Sequence, residues 1–431
     1  MKTLFDDIVV FAHNYPYWCG PTAETYLEEE IVALSQHASR IVVVAFEGFW
    51  EPGGTLRSGL PDNIVPIQLL EPSLQPEPNN LKRRLDQLRR VFTSEFIADR
   101  PQLKSRAHVR TFNRFNELST KIFTLTLEKL LDLDPEFGSG KTLIYSFWFN
   151  EPARAAVLLR NALAKLRNNS PVAVARAHGY DCYAYRNDLD YLPCQEWIAN
   201  RLDKVFPCSM DGVNYLQNRN PKAANKFEVA YLGVRQMPSG EDINPEEPIV
   251  VSCSRVVPLK RLDRVARSLA LLRDRGCRFR WICIGDGEDL RQLKELSHSL
   301  GLDGVARFTG SLTQLEIREL YSDTSASVFV QASEYEGVPL AIMEAMSASI
   351  PVVATRVGGV PEIVEDRENG LLLDKDFSDE ELADAIEYFL DEPRPDFRAA
   401  ALQRWRERFS SSSNALKMLN ICDNIWADIN R

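Results

Sequence analysis

Short β-branched runs alternate with longer helical patterns along most of this chain, and the whole series occurs twice. The first contains Ile8–Ala12, Ile41–Phe46, Ile64–Leu69, Leu143–Ser146 and Val172–Ala175. Strands this apolar, separated by helix-length segments, bury both faces of a parallel sheet under helices. Between Gly233 and Pro248 the pattern gives way to Gly, Pro, Ser, Asp, Asn and Glu, a composition suited to a loop. A second series follows: Ile249–Cys253, Trp281–Ile284, Ala306–Phe308, Val328–Val330, Val352–Ala354 and Leu371–Leu373. With 431 residues the chain is too long for one ordinary core. The expectation is α/β, with two doubly wound Rossmann-like domains in tandem, residues 1–232 and a second beginning at 233.

Composition narrows the partners. A net charge of −10 argues against general nucleic-acid binding. The eight cysteines are scattered without a C-x-x-C pair, as buried thiols of a reducing compartment are. There is no secretory leader pattern and no apolar run near the ~20 residues of a membrane span. A cytoplasmic protein is expected. Residues 81–121 depart from this balance, with eleven basic residues against four acidic ones. Leu81, Leu85, Leu88, Val91, Phe92 and Phe96 recur at helical spacing there, so the segment reads as one or two amphipathic helices inserted in the first domain. Such helices lie on an anionic membrane surface or receive a phosphorylated lipid, or they are a solvated face over a core stripe.

The most informative segment runs from Ser333 to Met346, where a polar, glycine-containing loop leads from a strand into good helix formers. At such a junction the helix N-terminus favours an anion. Glu336 in the loop and Glu344 in the helix are acceptors for hydroxyls beside that anion, a pair that suits a nucleotide sugar, or they are two solvated helix-face glutamates. Arg255 and Lys260 follow the first strand of the second series, where strand ends face a ligand crevice. A guanidinium and an ammonium there either neutralise a leaving diphosphate or are ordinary surface residues after a strand. Gly285-Asp-Gly287 also follows a strand, but a G-x-G-x-x-G spacing would need glycine at Leu290, so no dinucleotide cofactor is inferred. Its two glycines read as a tight strand-to-helix turn. In the first series, Gly20 allows close approach of backbone to a phosphate or forms a plain turn. His178, at a strand end, is a hydroxyl-binding or proton-shuttling imidazole or a structural one. Asp132-Leu-Asp134 and Asp188-Leu-Asp190 lack further ligands and read as chance D-x-D pairs. No metal is expected.

Together these elements resemble the retaining GT-B glycosyltransferases of glycosyltransferase family 4. Glu336 and Glu344 are similar to the family's E-x7-E motif, and Pro351–Glu362 to the segment after it. Arg255 and Lys260 fall where the family has its phosphate-binding cations, Gly20 where it has a glycine loop, and His178 where it often has a cleft histidine. The resemblance implies two Rossmann-like domains facing a central cleft: an acceptor domain, 1–232, and a donor domain, 233–413, with helix 414–431 returning to the first. It implies that Glu336 binds the donor sugar and Glu344 the ribose. The Gly337, Val338 and Leu340 amides then flank the phosphates and Leu312 lines the base pocket. Arg255 and Lys260 stabilise the leaving diphosphate, and His178 orients a hydroxyl. Transfer of a hexosyl group from a UDP- or GDP-sugar to a lipid-linked or polysaccharide acceptor is the implied reaction, without metal or cofactor. A nucleotide-sugar epimerase and a non-catalytic nucleotide-sugar or glycan-binding protein are the competing expectations.

Overall fold

The computed structural model describes residues 3–18, 25–47, 54–75, 89–240 and 247–431. Gly20 and the first part of the basic segment, 81–88, lie outside the described residues. The chain divides into two compact units, Met1–Tyr231 with Asn414–Arg431, and Leu232–Ser413.

The first unit is built on β1 (Phe5–Ala12), β2 (Ala38–Ala45), β3 (Ile64–Gln68), β4 (Thr142–Ser146), β5 (Val172–Ala177) and β6 (Lys204–Pro207). Every pairing is parallel, in the order β3-β2-β1-β4-β5-β6. The apolar residues of β1, β4 and β5 are buried on both faces, which is why these strands read as continuous β-branched runs. β6 escapes such a reading, because its four residues begin with Lys204 and end with Pro207.

The basic segment forms no separate insertion. A helix Ser94–Asp99 and a long helix Arg106–Leu133 make the crossover between β3 and β4. Phe112, Phe115, Ile122 and Leu130 of the long helix belong to the main core of the unit. The final helix, Ser411–Ile429, buries Met418, Leu419 and Cys422. It is fastened to the first unit by Lys141, which pairs with Asp423 and lies 4.9 Å from the Trp426 ring centroid, and by Asn430, whose amide bonds both Ser170 backbone groups. No helix among the described residues is long and apolar enough to cross a membrane.

The second unit repeats the plan with β7 (Ile249–Cys253), β8 (Arg280–Ile284), β9 (Ala306–Gly310), β10 (Val328–Gln331), β11 (Val352–Thr355) and β12 (Gly370–Leu373). These are again all parallel, in the order β12-β11-β10-β7-β8-β9. Counted within each unit, both sheets have the order 3-2-1-4-5-6. The order therefore reverses direction between β1 and β4, and again between β7 and β10. Loops part at such a point and leave a crevice at the carboxyl ends of the strands.

Candidate functional site

In the second unit the two loops at the β7/β10 switch point carry the cations and acids singled out from the sequence. After β7 the chain passes Ser254 and Arg255 and makes a single 3-10 turn, Pro258–Lys260. The Nζ of Lys260 then lies 2.5 Å from Oε1 of Glu336, in the loop after β10. Gln331, the last residue of β10, donates its side-chain amide to the same oxygen at 2.5 Å. The Lys260 and Glu336 side chains keep 19% and 9% of their exposure, so the pair is largely removed from water and its attraction is weakly screened. Oε2 of Glu336 has no protein partner among the described residues and can accept from a ligand hydroxyl.

Glu344 sits one and a half turns into the helix Leu340–Ser347 and is buried. Its Oε1 accepts from Gln314 Nε2 at 3.1 Å. Gln314 opens the helix after β9, and a Thr313/Glu316 capping box fixes where that helix starts. The loop before it contains Leu312, which is half-buried. The helix Leu340–Ser347 begins at Pro339, with no side-chain cap and no acid in its first turn. Its first amides, including that of Leu340, and the positive end of its dipole are thus left for an anion. Gly337 is exposed, and a Cβ there would meet nothing within 4 Å. Val338 is half-buried.

Close backbone packing holds these loops. Gly358 has φ +50°, and a Cβ on it would come within 1.8 Å of the Glu336 carbonyl oxygen; one on Gly359 would meet that of Gly337 at 2.3 Å. The Gly359 N–H donates to Gly337 O at 2.9 Å. The pair Gly285 and Gly287 does the same for the other loop, each closing on the carbonyl oxygen of Ser254 or Val256. The glycines expected to form a turn therefore also seat the Arg255 loop, whose guanidinium is exposed and makes no ion pair among the described residues.

Three residues escaped the sequence reading. Arg261, in the left-handed region at φ 47°, donates to the carbonyl oxygens of Ala332 at 2.7 Å, Ser333 at 3.1 Å and Lys375 at 2.8 Å. It is a positioning residue that ties the Lys260 turn to the Glu336 loop. Gln331 and Gln314 hold the two glutamates. A polar residue ending an apolar strand was a signal for Gln331; nothing local marks Arg261 or Gln314, whose partners lie 30 to 114 positions away.

His178 belongs to the first unit, in a different setting. Its ring lies 4.6 Å from that of Phe147 and 4.8 Å from that of Trp148, and Trp148 stacks on His13 at 4.8 Å. Nε2 is 2.9 Å from Phe147 O and Nδ1 is 3.1 Å from Cys208 Sγ. Facing a carbonyl, Nε2 is assigned the proton. Burial and the neighbouring Arg176 guanidinium push the imidazole down to about 3, so it is neutral near pH 7. Arg176 is itself buried and bonded to Glu30 and Tyr145, both at 2.8 Å. Beneath the ring, Asp181 accepts from the His178 and Phe149 backbone amides at 2.8 and 2.6 Å, and burial raises its carboxyl to about 6. Of the D-x-D acids, Asp134 pairs with Arg40 at 3.0 Å. Among the described residues no group of three or more His, Cys, Asp or Glu is placed to hold a metal ion.

Known proteins resemble this chain in sequence and in fold. Residues 235–408 match the family of glycosyl transferases group 1. A GDP-mannose-dependent alpha-(1-6)-phosphatidylinositol monomannoside mannosyltransferase of Mycobacterium tuberculosis is 32% identical, over 61% of this chain and 71% of its own. Of another relative, an Escherichia coli protein named for colanic acid biosynthesis, the chain spans about half the length, 50%. Among solved structures, sucrose-phosphate synthase of Thermosynechococcus elongatus superposes with a TM-score of 0.68 at 17% identity, over 98% of this chain and 100% of that one. The Anabaena protein HepE, in complex with UDP-glucose, does so with a TM-score of 0.61 at 18% identity, over 97% and 99%. At such identities the likeness concerns the fold, the α/β two-domain GT-B type. The sequence matches go further, and the chain belongs to the glycosyl transferases group 1 family, a glycosyltransferase by class.

Proposed function

We propose that the protein transfers a hexosyl group from a UDP- or GDP-sugar to a lipid-linked or polysaccharide acceptor with retention of anomeric configuration, in cell-surface polysaccharide or glycolipid synthesis. The observation that carries this reading is the Lys260–Glu336–Gln331 cluster at the β7/β10 switch point, 2.5 Å between partners, with Oε2 of Glu336 left to accept. The GDP-mannose and phosphatidylinositol mannoside of the mycobacterial relative's name, and the UDP-glucose of the Anabaena complex, support a donor and an acceptor of these classes.

In this reading Glu336 accepts from donor sugar hydroxyls and Glu344 from the ribose, with Leu312 beside the base. The Gly337, Val338 and Leu340 amides face the phosphates, and the phosphate contact at Gly20 is part of the same proposal. Charge growing on the leaving diphosphate is met by Arg255 and Lys260, the work a bound metal does in other phosphate chemistry. Attack on the face the diphosphate leaves preserves configuration. His178 takes part as a neutral group that orients a hydroxyl by exchanging its contact with Phe147 O or Cys208 Sγ for one with the ligand. A peripheral position at the cytoplasmic face of a membrane suits a lipid-linked acceptor.

Glu336→Gln keeps the side-chain shape and removes the charge. Transfer from a UDP- or GDP-sugar to a panel of glycan and lipid-linked acceptors is expected to fall about 100-fold or more in a chain that stays folded, with a melting temperature lowered by the loss of the charge against Lys260. Full transfer by the variant would refute the assigned role. Epimerised donor appearing without any acceptor would favour an epimerase instead.

A further inference from the structure

The crossover between β3 and β4 presents a surface that the transfer chemistry does not use. Within 89–121 all three acids are buried: Glu95, Asp99 and Glu117. Glu95 is paired with Arg154 at 2.9 Å, and Asp99 accepts from the Tyr191 hydroxyl at 2.5 Å and the Cys194 amide at 2.7 Å. The cations go the other way. Arg100, Lys104, Arg106, Arg110 and Arg114 are exposed and form no ion pair among the described residues. The solvent face of the segment therefore carries only positive charge, within a chain of net charge −10.

Apolar side chains stand among these cations. Phe92 is 84% exposed and Ile97 is 64% exposed, with Val91 and Val109 exposed as well. They are held in place. The turn carrying Val91 and Phe92 is closed by the Phe92 N–H on Arg89 O and fastened to the long helix by Arg90, whose guanidinium donates to Asn113 O at 3.0 Å. Thr93 caps the short helix that carries Ile97. Arg106, Arg110 and Arg114 recur every fourth residue and share one helix face. They line, with Lys104 and Val109, a groove of about 1240 Å³. Displaying a phenylalanine on a hydrogen-bonded turn of so basic a surface gains nothing in water, whereas a lipid interface rewards both features at once.

We propose that this surface docks on an anionic phospholipid bilayer, with Phe92 and Ile97 entering the headgroup boundary and Arg106, Arg110 and Arg114 meeting lipid phosphates in the groove. This deepens the peripheral position in the proposed function and rests on it, but not on the donor site. The test is flotation of the full chain with phosphatidylcholine vesicles containing or lacking phosphatidylglycerol. Binding is expected only to the anionic vesicles and to weaken as salt is raised. The double variant Phe92→Ser, Ile97→Ser and, independently, Arg106→Glu, Arg110→Glu are each expected to lose about tenfold or more in binding. Transfer to a water-soluble acceptor should be unchanged in both, so failure here is distinguishable from failure of the donor-site reading. Equal binding to neutral and anionic vesicles, retained binding by either variant, or self-association abolished by Phe92→Ser, Ile97→Ser without vesicle binding would overturn the proposal.

Discussion

At the β7/β10 switch point the side chains are ionic: Arg255, Lys260, Glu336 and Glu344, steadied by Gln331, Gln314 and Arg261. The corresponding strand ends of the first unit carry rings instead: His13 after β1, Phe147 and Trp148 after β4, and His178 after β5. The strand order is the same, yet one end is arranged to hold charge and the other to keep an imidazole uncharged. The topology supplies a crevice, and the loops decide what chemistry it accepts. The second unit keeps its charge by pairing, since Glu336 has a lysine against it. The first keeps His178 uncharged by packing it among rings and beside the Arg176 guanidinium.

Among the residues that hold the charged site, a large effect that would sharpen this contrast is expected at Arg261. Arg261→Ala removes three donors from carbonyls of the loops around Glu336, so transfer is expected to fall about 10- to 100-fold and the melting temperature to drop. Because Arg261 acts through Glu336, Arg261→Lys should recover part of the stability but little of the activity. Recovery of both by lysine, measured as kcat and KM against the melting curve, would mean that charge alone matters there.

How far the sequence carries the contrast depends on which forces are local. The strands with consecutive β-branched residues were legible because burial on both faces demands them. β6 was not, since pairing with β5 overrides the poor propensity of a Lys-to-Pro tetrapeptide. The charged site was legible as two cations and two acids placed after strands. The residues that hold it were not, because Arg261 looks like any surface arginine until Ala332 and Ser333 are folded against it. Of the basic stretch, 94–99 and 106–121 are helical, Val91 and Phe92 lie in a turn, and Leu81, Leu85 and Leu88 lie outside the described residues; its place as the β3–β4 crossover follows from Phe112, Phe115, Ile122 and Leu130 finding the core, which spacing alone does not locate.

A smaller effect breaks or sharpens the other side of the comparison. With His178 held down to about 3, the unfolded chain takes up its proton near pH 6.5 while the folded chain does not. The contribution of His178 to stability is therefore complete above pH 6.5 and declines as pH falls toward 3. Asp181, raised to about 6, works in the opposite sense: its contribution is complete below its ordinary value and is lost as pH rises through 6. Comparing wild type with His178→Gln isolates the imidazole. The melting-temperature advantage of the wild type should shrink as pH is lowered from about 6.5 to 4, at roughly 2–4 °C for each kcal/mol lost. An advantage that stays constant over that interval would show that His178 titrates alike in both states.

The central claim is that the ionic switch point of the second unit binds the diphosphate of the donor. Titration calorimetry with UDP and GDP, on the wild type and on the double variant Arg255→Ala, Lys260→Ala, tests it most directly. One nucleoside diphosphate should bind the wild type, and the double variant should lose about 100-fold or more in affinity while remaining folded. Undiminished binding by the double variant would contradict the claim.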